Sequence, residues 1–304
     1  MHRIGELIEQ IHGEFAAADL HYGHGTDNAW DEAVYLVLTV TGAADDRAVL
    51  ETAVNDTHET QIRTLASRRI LERLPLAYLL ERCRYMDLEF HLVEGLVVPR
   101  SPIGPLLAEL ANSDSQWLAD APARVLDLCA GTGCLGLVAA LLFPQAEVTL
   151  VDLDPLACAT AERNVEFLQA QQPELGHDLP KRVRVINADV CALPPLSRQD
   201  LVICNPPYVN AVDMQSLPQE FQAEPEAGLA AGFEGLDVIL PVLTQMPDVL
   251  SNQGLFIGEV GASAAALGRV LMGMPLIWPD LPAGGEGVFL LEGAAFNSHT
   301  APLD

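Results

Sequence analysis

Basic residues are scarce in this sequence. It holds 16 lysines and arginines against 42 aspartates and glutamates, which gives a formal net charge of −26, and Lys181 is the single lysine. Direct binding to DNA or RNA requires a surplus of positive charge, so the composition argues against a nucleic-acid-binding protein. An acidic surface of this kind suits either a basic protein partner or solubility alone, and composition leaves both open.

Long apolar runs and closely spaced cysteine pairs are also lacking. The longest apolar run, residues 134–143, is about half the length of a membrane-spanning helix, and the charged N-terminal segment is unlike a signal peptide. No C-x-x-C pair occurs among the six cysteines, Cys83, Cys129, Cys134, Cys158, Cys191 and Cys204. We therefore expect a cytoplasmic protein with reduced, buried thiols, no metal site and no contact with a membrane.

Residues 1–84 are predicted to form a helical domain. Apolar side chains at helical spacing mark a first helix that contains Ile4, Leu7, Ile8 and Ile11. A second helix is expected to begin at Ala29, after a capping residue among Thr26, Asp27 and Asn28, and to end at Gly42. A third helix carries four arginines, for which we predict a solvated face, with a docking surface as the alternative: Arg63, Arg68, Arg69 and Arg73.

Residues 85–100 predict a β-hairpin linker, because apolar residues flank Glu94-Gly95. From there, residues 101–304 form the second predicted domain, in which strands alternate with helices that begin near Cys134, Pro155 and Leu236. The predicted strands are Arg124–Leu128, Glu147–Val151, Val183–Asn187, Leu201–Cys204, Leu255–Val260 and Val288–Glu292. This alternation predicts an α/β fold with a mostly parallel sheet, helices on both faces, and ligands at the carboxyl ends of the strands.

The first of these strands runs into a glycine-rich turn, VLDLCAGTGCLG, in which Gly131, Gly133 and Gly136 fit G-x-G-x-x-G. Glycines let the backbone turn tightly and a ligand approach closely, and the helix beginning near Cys134 presents free N–H groups. The turn suits a dinucleotide or S-adenosylmethionine. Asp127 favours S-adenosylmethionine, because a carboxylate there suits an ammonium group, which NAD lacks.

Two further carboxylates follow the next predicted strands. Asp152 can accept hydrogen bonds from both hydroxyls of a ribose, in NAD and in S-adenosylmethionine alike. Asp154 is explained as the N-cap of the helix that opens with Pro155. Asp189 can accept a hydrogen bond from an adenine amino group, or can serve only as a turn residue.

The fourth strand ends in Asn205-Pro206-Pro207-Tyr208. The two prolines stiffen this turn and remove two donor N–H groups, so the Asn205 side-chain oxygen and the Pro206 carbonyl can accept both hydrogens of a planar NH₂ group. Tyr208 supplies a flat face for stacking. These two hydrogen bonds orient the weakly nucleophilic nitrogen toward a sulfonium methyl. Alignment of this kind lowers a reaction barrier by up to about 7–11 kcal/mol.

No Ser-His-Asp or Cys-His arrangement offers a better account of the chemistry. His21 and His24, in HYGHGTDN, have the spacing of loop residues, and we interpret them as structural or substrate-contacting rather than as metal ligands.

Together, the segments VLDLCAGTGCLG, VDLDP, NADV and NPPYV resemble the protein-glutamine N5-methyltransferase family, over nearly the whole chain. HYGHGTDNAWDEAVYLVL and VPRSPIGPLL resemble its ribosomal-protein branch. The resemblance implies a Rossmann-like class I methyltransferase sheet, S-adenosylmethionine as methyl donor, and a glutamine of a basic large-subunit ribosomal protein as substrate, recognised with help from the N-terminal helices. It leaves the oligomeric state and the target glutamine open.

The resemblance also implies the site residues. Asn205 and Pro206 hold the target amide, Pro207 stiffens the turn and Tyr208 forms a wall. The cofactor is contacted by Asp127, Cys129, Ala130, Gly131, Thr132, Gly133, Asp152, Asp189 and Asn205. Four alternatives stay open: a release-factor glutamine methyltransferase, a methyltransferase for exocyclic base amines, an NAD-linked oxidoreductase, and a non-catalytic ribosome-assembly factor.

Overall fold

The fold is taken from a computed structural model, which describes residues 2–112, 117–118 and 120–298. The two predicted domains therefore reach beyond the described residues, at residue 1 and at residues 299–304. The helices are α1 (Ile4–Ala17), α2 (Ala29–Thr41), α3 (Asp56–Glu72), α4 (Leu76–Leu80), α5 (Ile103–Leu110), α6 (Cys134–Leu142), α7 (Pro155–Gln171), α8 (Leu179–Arg182), α9 (Ala211–Met214), α10 (Gln219–Gln222), α11 (Ile239–Val249), α12 (Ala264–Val270) and α13 (Gly293–Ser298). The strands are β1 (Arg82–Tyr85), β2 (Leu88–His91), β3 (Arg124–Leu128), β4 (Glu147–Asp152), β5 (Val183–Asn187), β6 (Gln199–Cys204), β7 (Leu250–Glu259) and β8 (Val288–Glu292).

The chain divides into two compact units, and neither is continuous in sequence. The first contains Met1–Arg84, Leu92–Arg100 and Leu217–Glu224, and the second contains Tyr85–His91, Ser101–Ser216 and Pro225–Asp304. The first unit therefore takes in a short segment, with helix α10, that lies far along the chain from its other helices.

The first unit has a helical core, as its apolar spacing predicts. Ile4, Leu7, Ile8 and Ile11 of α1 are all buried. Asn28 caps α2 by accepting a hydrogen bond from the Asp31 N–H, and Gly42 ends that helix with a φ of +67°. Both helices that were placed from their apolar faces and caps are confirmed.

Arg69 corrects the prediction of a solvated arginine face on α3. Its side chain is 1% exposed, and its Nε donates to Glu32 Oε1 at 2.8 Å. Arg68, by contrast, is half exposed and pairs with Glu72 within the same helix. Arg69 is buried because carboxylates from other segments neutralise it, which the spacing of α3 cannot reveal.

The hairpin lies earlier in the chain than predicted. Strands β1 and β2 form a two-stranded sheet of their own, joined through Met86 and Asp87, which both have positive φ. Glu94-Gly95 forms an isolated turn instead. Pro99 lacks an N–H, so the residues after that turn are poorly suited to a strand ladder.

The second unit is built on a six-stranded sheet with the order β5-β4-β3-β6-β7-β8. All neighbouring strands are parallel except β7 and β8, which are antiparallel. The predicted strands are all present, with β6 and β7 longer at their starts, and the helix expected near Leu236 begins at Ile239. The predicted α/β class is therefore confirmed.

The order of the strands reverses at β3, which lies between β4 and β6. Leu128, the last residue of β3, is in register with Val151 of β4 and with Cys204 of β6. The turns that follow β3 and β6 therefore leave the same edge of the sheet side by side. Such a reversal point is where open parallel sheets bind ligands.

Candidate active site

The turn after β3 depends on three residues in the left-handed region. Cys129, Gly131 and Gly133 have φ values of +56°, +55° and +82°. The Ala130 N–H donates to the carbonyl of Val151 on β4, which fixes the turn to the sheet. A Cβ at Gly131 would meet no atom within 4 Å, so open space adjoins the turn there. The backbone conformation, rather than crowding, is what favours glycine at this position.

Gly136 has a different role, because it lets helix α6 pack closely on the sheet. A Cβ at this position would lie 2.2 Å from Leu150 Cδ2 and 2.9 Å from Asp127 Oδ2. The Gly136 N–H donates to Asp127 Oδ2 at 2.7 Å. The third glycine of the motif therefore holds the Asp127 carboxylate in place through backbone contact.

Asp127 is fully buried and carries an unsatisfied acceptor. Its Oδ2 receives the bond from Gly136, but its Oδ1 has no partner among the described residues. Burial, with a smaller contribution from the nearby Asp152, raises the pKa of Asp127 to about 7, although the Gly136 N–H opposes the shift. A buried carboxylate in this state gains most from a cationic donor placed against it.

Asp152 braces the same turn from the end of β4. Its Oδ2 accepts the Gly131 N–H at 2.8 Å and its Oδ1 accepts the Asp154 N–H at 2.9 Å. Burial raises the pKa of Asp152. Each carboxylate oxygen can accept a second hydrogen bond, so a ribose diol remains compatible with this geometry.

Asp189 and Asp154 both act as local caps. The Asp154 carboxylate accepts the Leu156 N–H and opens α7, as predicted. Asp189 is exposed, and its Oδ1 accepts the Cys191 N–H at the start of a short 3₁₀ helix, Val190–Ala192. Capping accounts for this side chain, and a contact with adenine stays a prediction.

The turn after β6 carries the second unsatisfied acceptor of the site. Asn205 Oδ1 is buried without a hydrogen-bond partner among the described residues, and Pro206 is buried beside it. Just beyond the prolines, the Val209 N–H donates to Leu229 and the Val209 carbonyl accepts from Ala231. The turn is thus anchored at both ends, by the sheet before it and by this short parallel bridge after it.

Tyr208 is held by residues that the sequence analysis missed. Its hydroxyl donates to Glu259 Oε1 at 2.7 Å, and the other carboxylate oxygen of Glu259 accepts from Ser101 Oγ. The Tyr208 carbonyl accepts from Ser263 Oγ at 3.1 Å. A glutamate closing the apolar strand LFIGE was the signal available in the sequence, because charged residues rarely end a buried strand without a partner.

Cys129 offers no nucleophile at this turn. The Cys204 thiol beside it and burial both raise the Cys129 pKa well above its ordinary value, so the thiol stays protonated. Among the described residues, the six cysteines form no disulfide, and no cluster of three side chains could hold a metal ion. Covalent catalysis through this cysteine is therefore disfavoured.

His21 and His24 belong to the first unit. The His24 Nε2 lies 3.0 Å from Glu224 Oε1, and the His21 N–H donates to Glu220. Both contacts are with the segment Leu217–Glu224, which accounts for a structural role of this loop.

None of the described helices combines the length and the apolar character needed to cross a membrane.

Known proteins resemble this chain in two ways. The Methyltransferase small domain family matches residues 106–241. Curated relatives named ribosomal protein uL3 glutamine methyltransferase align over nearly the full length. The relative from Francisella tularensis is 34% identical, over 96% of this chain and 90% of its own. The relative from Bordetella pertussis is 35% identical, over 96% of this chain and 96% of its own. The relative from Burkholderia pseudomallei is 34% identical, over 95% of this chain and 94% of its own.

Proposed function

The chain belongs to the ribosomal protein uL3 glutamine methyltransferase family, and from that premise we propose that it methylates the side-chain amide nitrogen of a glutamine in ribosomal protein uL3. The methyl donor in this proposal is S-adenosylmethionine. The matched family domain, residues 106–241, includes both turns at the sheet edge.

One observation carries the proposal: at the carboxyl ends of two neighbouring strands lie two buried acceptor atoms that have no partner among the residues described by the structure. Asp127 Oδ1 lies at the end of β3, and Asn205 Oδ1 follows β6. Buried polar atoms are nearly always hydrogen-bonded in folded proteins, so two such atoms at the reversal point of the sheet indicate ligands that donate hydrogen bonds. A cationic amine suits the first and a planar amide suits the second.

The residues of the turn after β3 fit S-adenosylmethionine. We assign its ammonium group to Asp127, its ribose hydroxyls to Asp152 and its adenine to Asp189. The backbone of Cys129, Ala130, Gly131, Thr132 and Gly133 lines the space between them. When bound, S-adenosylmethionine supplies an electrophilic methyl carbon on its sulfonium sulfur. Asn205 adjoins the same space, because the turns after β3 and β6 leave the sheet together.

The turn after β6 then prepares the nucleophile. In our proposal Asn205 Oδ1 and the Pro206 carbonyl accept the two N–H bonds of the glutamine amide, which fixes the direction of the nitrogen lone pair. Pro207 keeps the backbone extended, and the Tyr208 ring covers one face of the amide. Orientation lowers the barrier without a general base at the start, because the nitrogen becomes acidic only as the new bond forms.

The strong negative charge supports a basic protein partner. A net charge of −26 attracts a positively charged substrate over a distance and raises its association rate. The same charge opposes direct binding of DNA or RNA. We also propose a cytoplasmic location, because a ribosomal protein is the substrate and the described cysteines form no disulfide.

The direct test is methylation of purified uL3 by the purified protein with S-adenosylmethionine. Mass spectrometry of the peptides should show one glutamine heavier by one methyl group. Asn205→Ala should lower turnover on the order of 100-fold or more, while binding of S-adenosylhomocysteine stays measurable by calorimetry. Asn112→Ala, an exposed asparagine just after α5, is the matched control and should behave like the wild type.

Three substrates in the same assay separate the alternatives. Release factor and RNA should remain unlabelled, and uL3 should be labelled. Labelling of release factor alone would reassign the chain to that substrate, and labelling of RNA alone would reassign it to base methylation. Unchanged turnover of Asn205→Ala would remove the role given to the asparagine.

A further inference from the structure

A chain of buried hydrogen bonds in the second unit ends at the catalytic turn. It begins at Tyr85, whose hydroxyl donates to the Ser101 carbonyl at 2.6 Å and accepts the Gly104 N–H at 2.9 Å. Gly104 has no room for a side chain, because a Cβ there would lie 2.2 Å from the Tyr85 hydroxyl. The backbone of Ser101 is therefore fixed from the β1 side.

The Ser101 side chain links this fixed backbone to the carboxylate of Glu259. Ser101 Oγ accepts the Ile103 N–H at 3.1 Å and donates to Glu259 Oε2 at 2.5 Å. Ser101 is 6% exposed and Glu259 is 4% exposed, so water competes little for either group. A buried carboxylate is costly unless donors hold it, and here one donor is a fixed serine hydroxyl.

The other oxygen of Glu259 faces the catalytic turn. The Tyr208 hydroxyl donates to Glu259 Oε1 at 2.7 Å. Glu259 lies at the level of that turn because Gly258, just before it on β7, is in register with Cys204, just before Asn205. The carboxylate thus bridges a rigid serine and the aromatic ring that covers the substrate amide in the proposed function.

Two glycines, Gly235 and Gly261, pack closely against Tyr208. A Cβ at Gly261 would lie 2.7 Å from Tyr208 Cε2, and a Cβ at Gly235 would lie 2.2 Å from the Tyr208 carbonyl oxygen. The ring therefore lies against bare backbone while its hydroxyl is held by the carboxylate. A tyrosine needs only two side-chain torsions to be fixed, and the ring contact with Gly261 and the hydroxyl bond to Glu259 restrain them, while Gly235 restrains the backbone.

From this geometry we propose that Glu259 and Ser101 are positioning residues for methyl transfer, which act through Tyr208 by fixing the plane of its ring against the target amide. The inference rests on the proposed function. It separates the ring of Tyr208, which touches substrate, from its hydroxyl, which serves only to hold the ring. Positioning errors near 1 Å lower rates on the order of 100-fold, so loss of this restraint should appear in kcat.

The test compares Glu259→Ala, Glu259→Gln, Ser101→Ala and Tyr208→Phe in the uL3 methylation assay. Glu259→Ala and Tyr208→Phe should each lower kcat by about 10- to 100-fold, with KM for uL3 within about 2-fold of the wild type. Glu259→Gln keeps an acceptor for the tyrosine hydroxyl and should restore kcat to within about 3-fold. Ser101→Ala, the mildest change, should lower kcat less than Glu259→Ala does.

The double variant Glu259→Ala/Tyr208→Phe decides whether the two groups act as a unit. Its kcat should be no lower than that of the worse single variant, because both changes remove one hydrogen bond. Glu292→Ala, an exposed glutamate that ends the adjacent strand β8, is the matched control and should leave kcat unchanged. S-adenosylhomocysteine affinity and urea unfolding are measured for every variant.

Several results would overturn the proposal. The first is a kcat of Glu259→Ala within 2-fold of the wild type. The second is a double variant in which the two losses of kcat multiply. The third is a loss of kcat in Glu259→Ala that Glu259→Gln does not restore. If Glu259→Ala does not fold, Ser101→Ala and Tyr208→Phe carry the same test. Normal wild-type turnover on uL3 with any of these failures leaves the proposed function standing, whereas no wild-type turnover contradicts the proposed function itself.

Discussion

Asp127 should make the stability of the protein fall as the pH rises, in the absence of methyl donor. The carboxyl group is fully buried, and burial raises its pKa from 3.8 to about 7. The folded state thus holds the proton more tightly than the unfolded state. The resulting stabilisation is fully present below pH 3.8 and is lost as the pH rises through about 7.

The full difference between the two pKa values corresponds to about 4 kcal/mol. Between pH 5 and pH 8 the share that disappears is about 2.5 kcal/mol, because the unfolded carboxyl is already ionised at pH 5. Asp127→Asn removes the titrating group. Its free energy of unfolding should therefore fall by about 2.5 kcal/mol less than that of the wild type over the same range.

Urea unfolding at several values between pH 5 and pH 8, followed by tryptophan fluorescence, measures this difference. Asp248→Asn, at an exposed position on α11, is the matched control and should follow the wild-type pH profile. Saturating S-adenosylhomocysteine, which carries an ammonium group, should flatten the wild-type profile by favouring the ionised carboxylate. Parallel profiles for wild type and Asp127→Asn would contradict a raised pKa of Asp127 in the folded state.

Two further changes test the packing of each unit. Gly136→Ala places a methyl group 2.2 Å from Leu150 Cδ2. It should therefore lower the free energy of unfolding, measured by urea titration, by about 1–3 kcal/mol. An unchanged free energy of unfolding would contradict the close packing of α6. Arg69→Ala leaves the buried Glu32 without its cation and should cost about 3–5 kcal/mol, whereas Arg68→Ala removes only an exposed pair and should cost much less. Equal costs would contradict the buried network.

Local pattern sufficed wherever a residue's role depends on its neighbours along the chain. The apolar runs of β3 and β4 predicted buried parallel strands at nearly their observed bounds, since such strands are apolar on both faces. The cap at Asp154 followed from residue type and position, whereas the cap of α2 was narrowed only to Thr26, Asp27 or Asn28, of which the structure selects Asn28. The Asn-Pro-Pro-Tyr turn was also placed correctly, because the strand before it is unambiguous.

The hairpin shows where local pattern misleads. Glu94-Gly95 is a genuine turn, and Gly95 has a φ of +96°, but no strands flank it. The strands form instead around Met86 and Asp87, which take positive φ although neither is glycine. Aspartate takes such a conformation fairly readily but methionine rarely does, so the pair Met86-Asp87 gave only a weak signal of a turn.

The α/β alternation, the glycine-rich turn and the Asn-Pro-Pro-Tyr turn could be predicted from the sequence, because each depends on contiguous residues and on backbone chemistry. Which charges are buried, and which residues hold Tyr208, depends on contacts that form only when the chain folds. Glu32 and Arg69 are 37 residues apart and Ser101 and Glu259 are 158 apart, yet each pair shares a hydrogen bond. A buried charge is tolerated only with a partner at hydrogen-bonding distance, and folding alone brings such partners together.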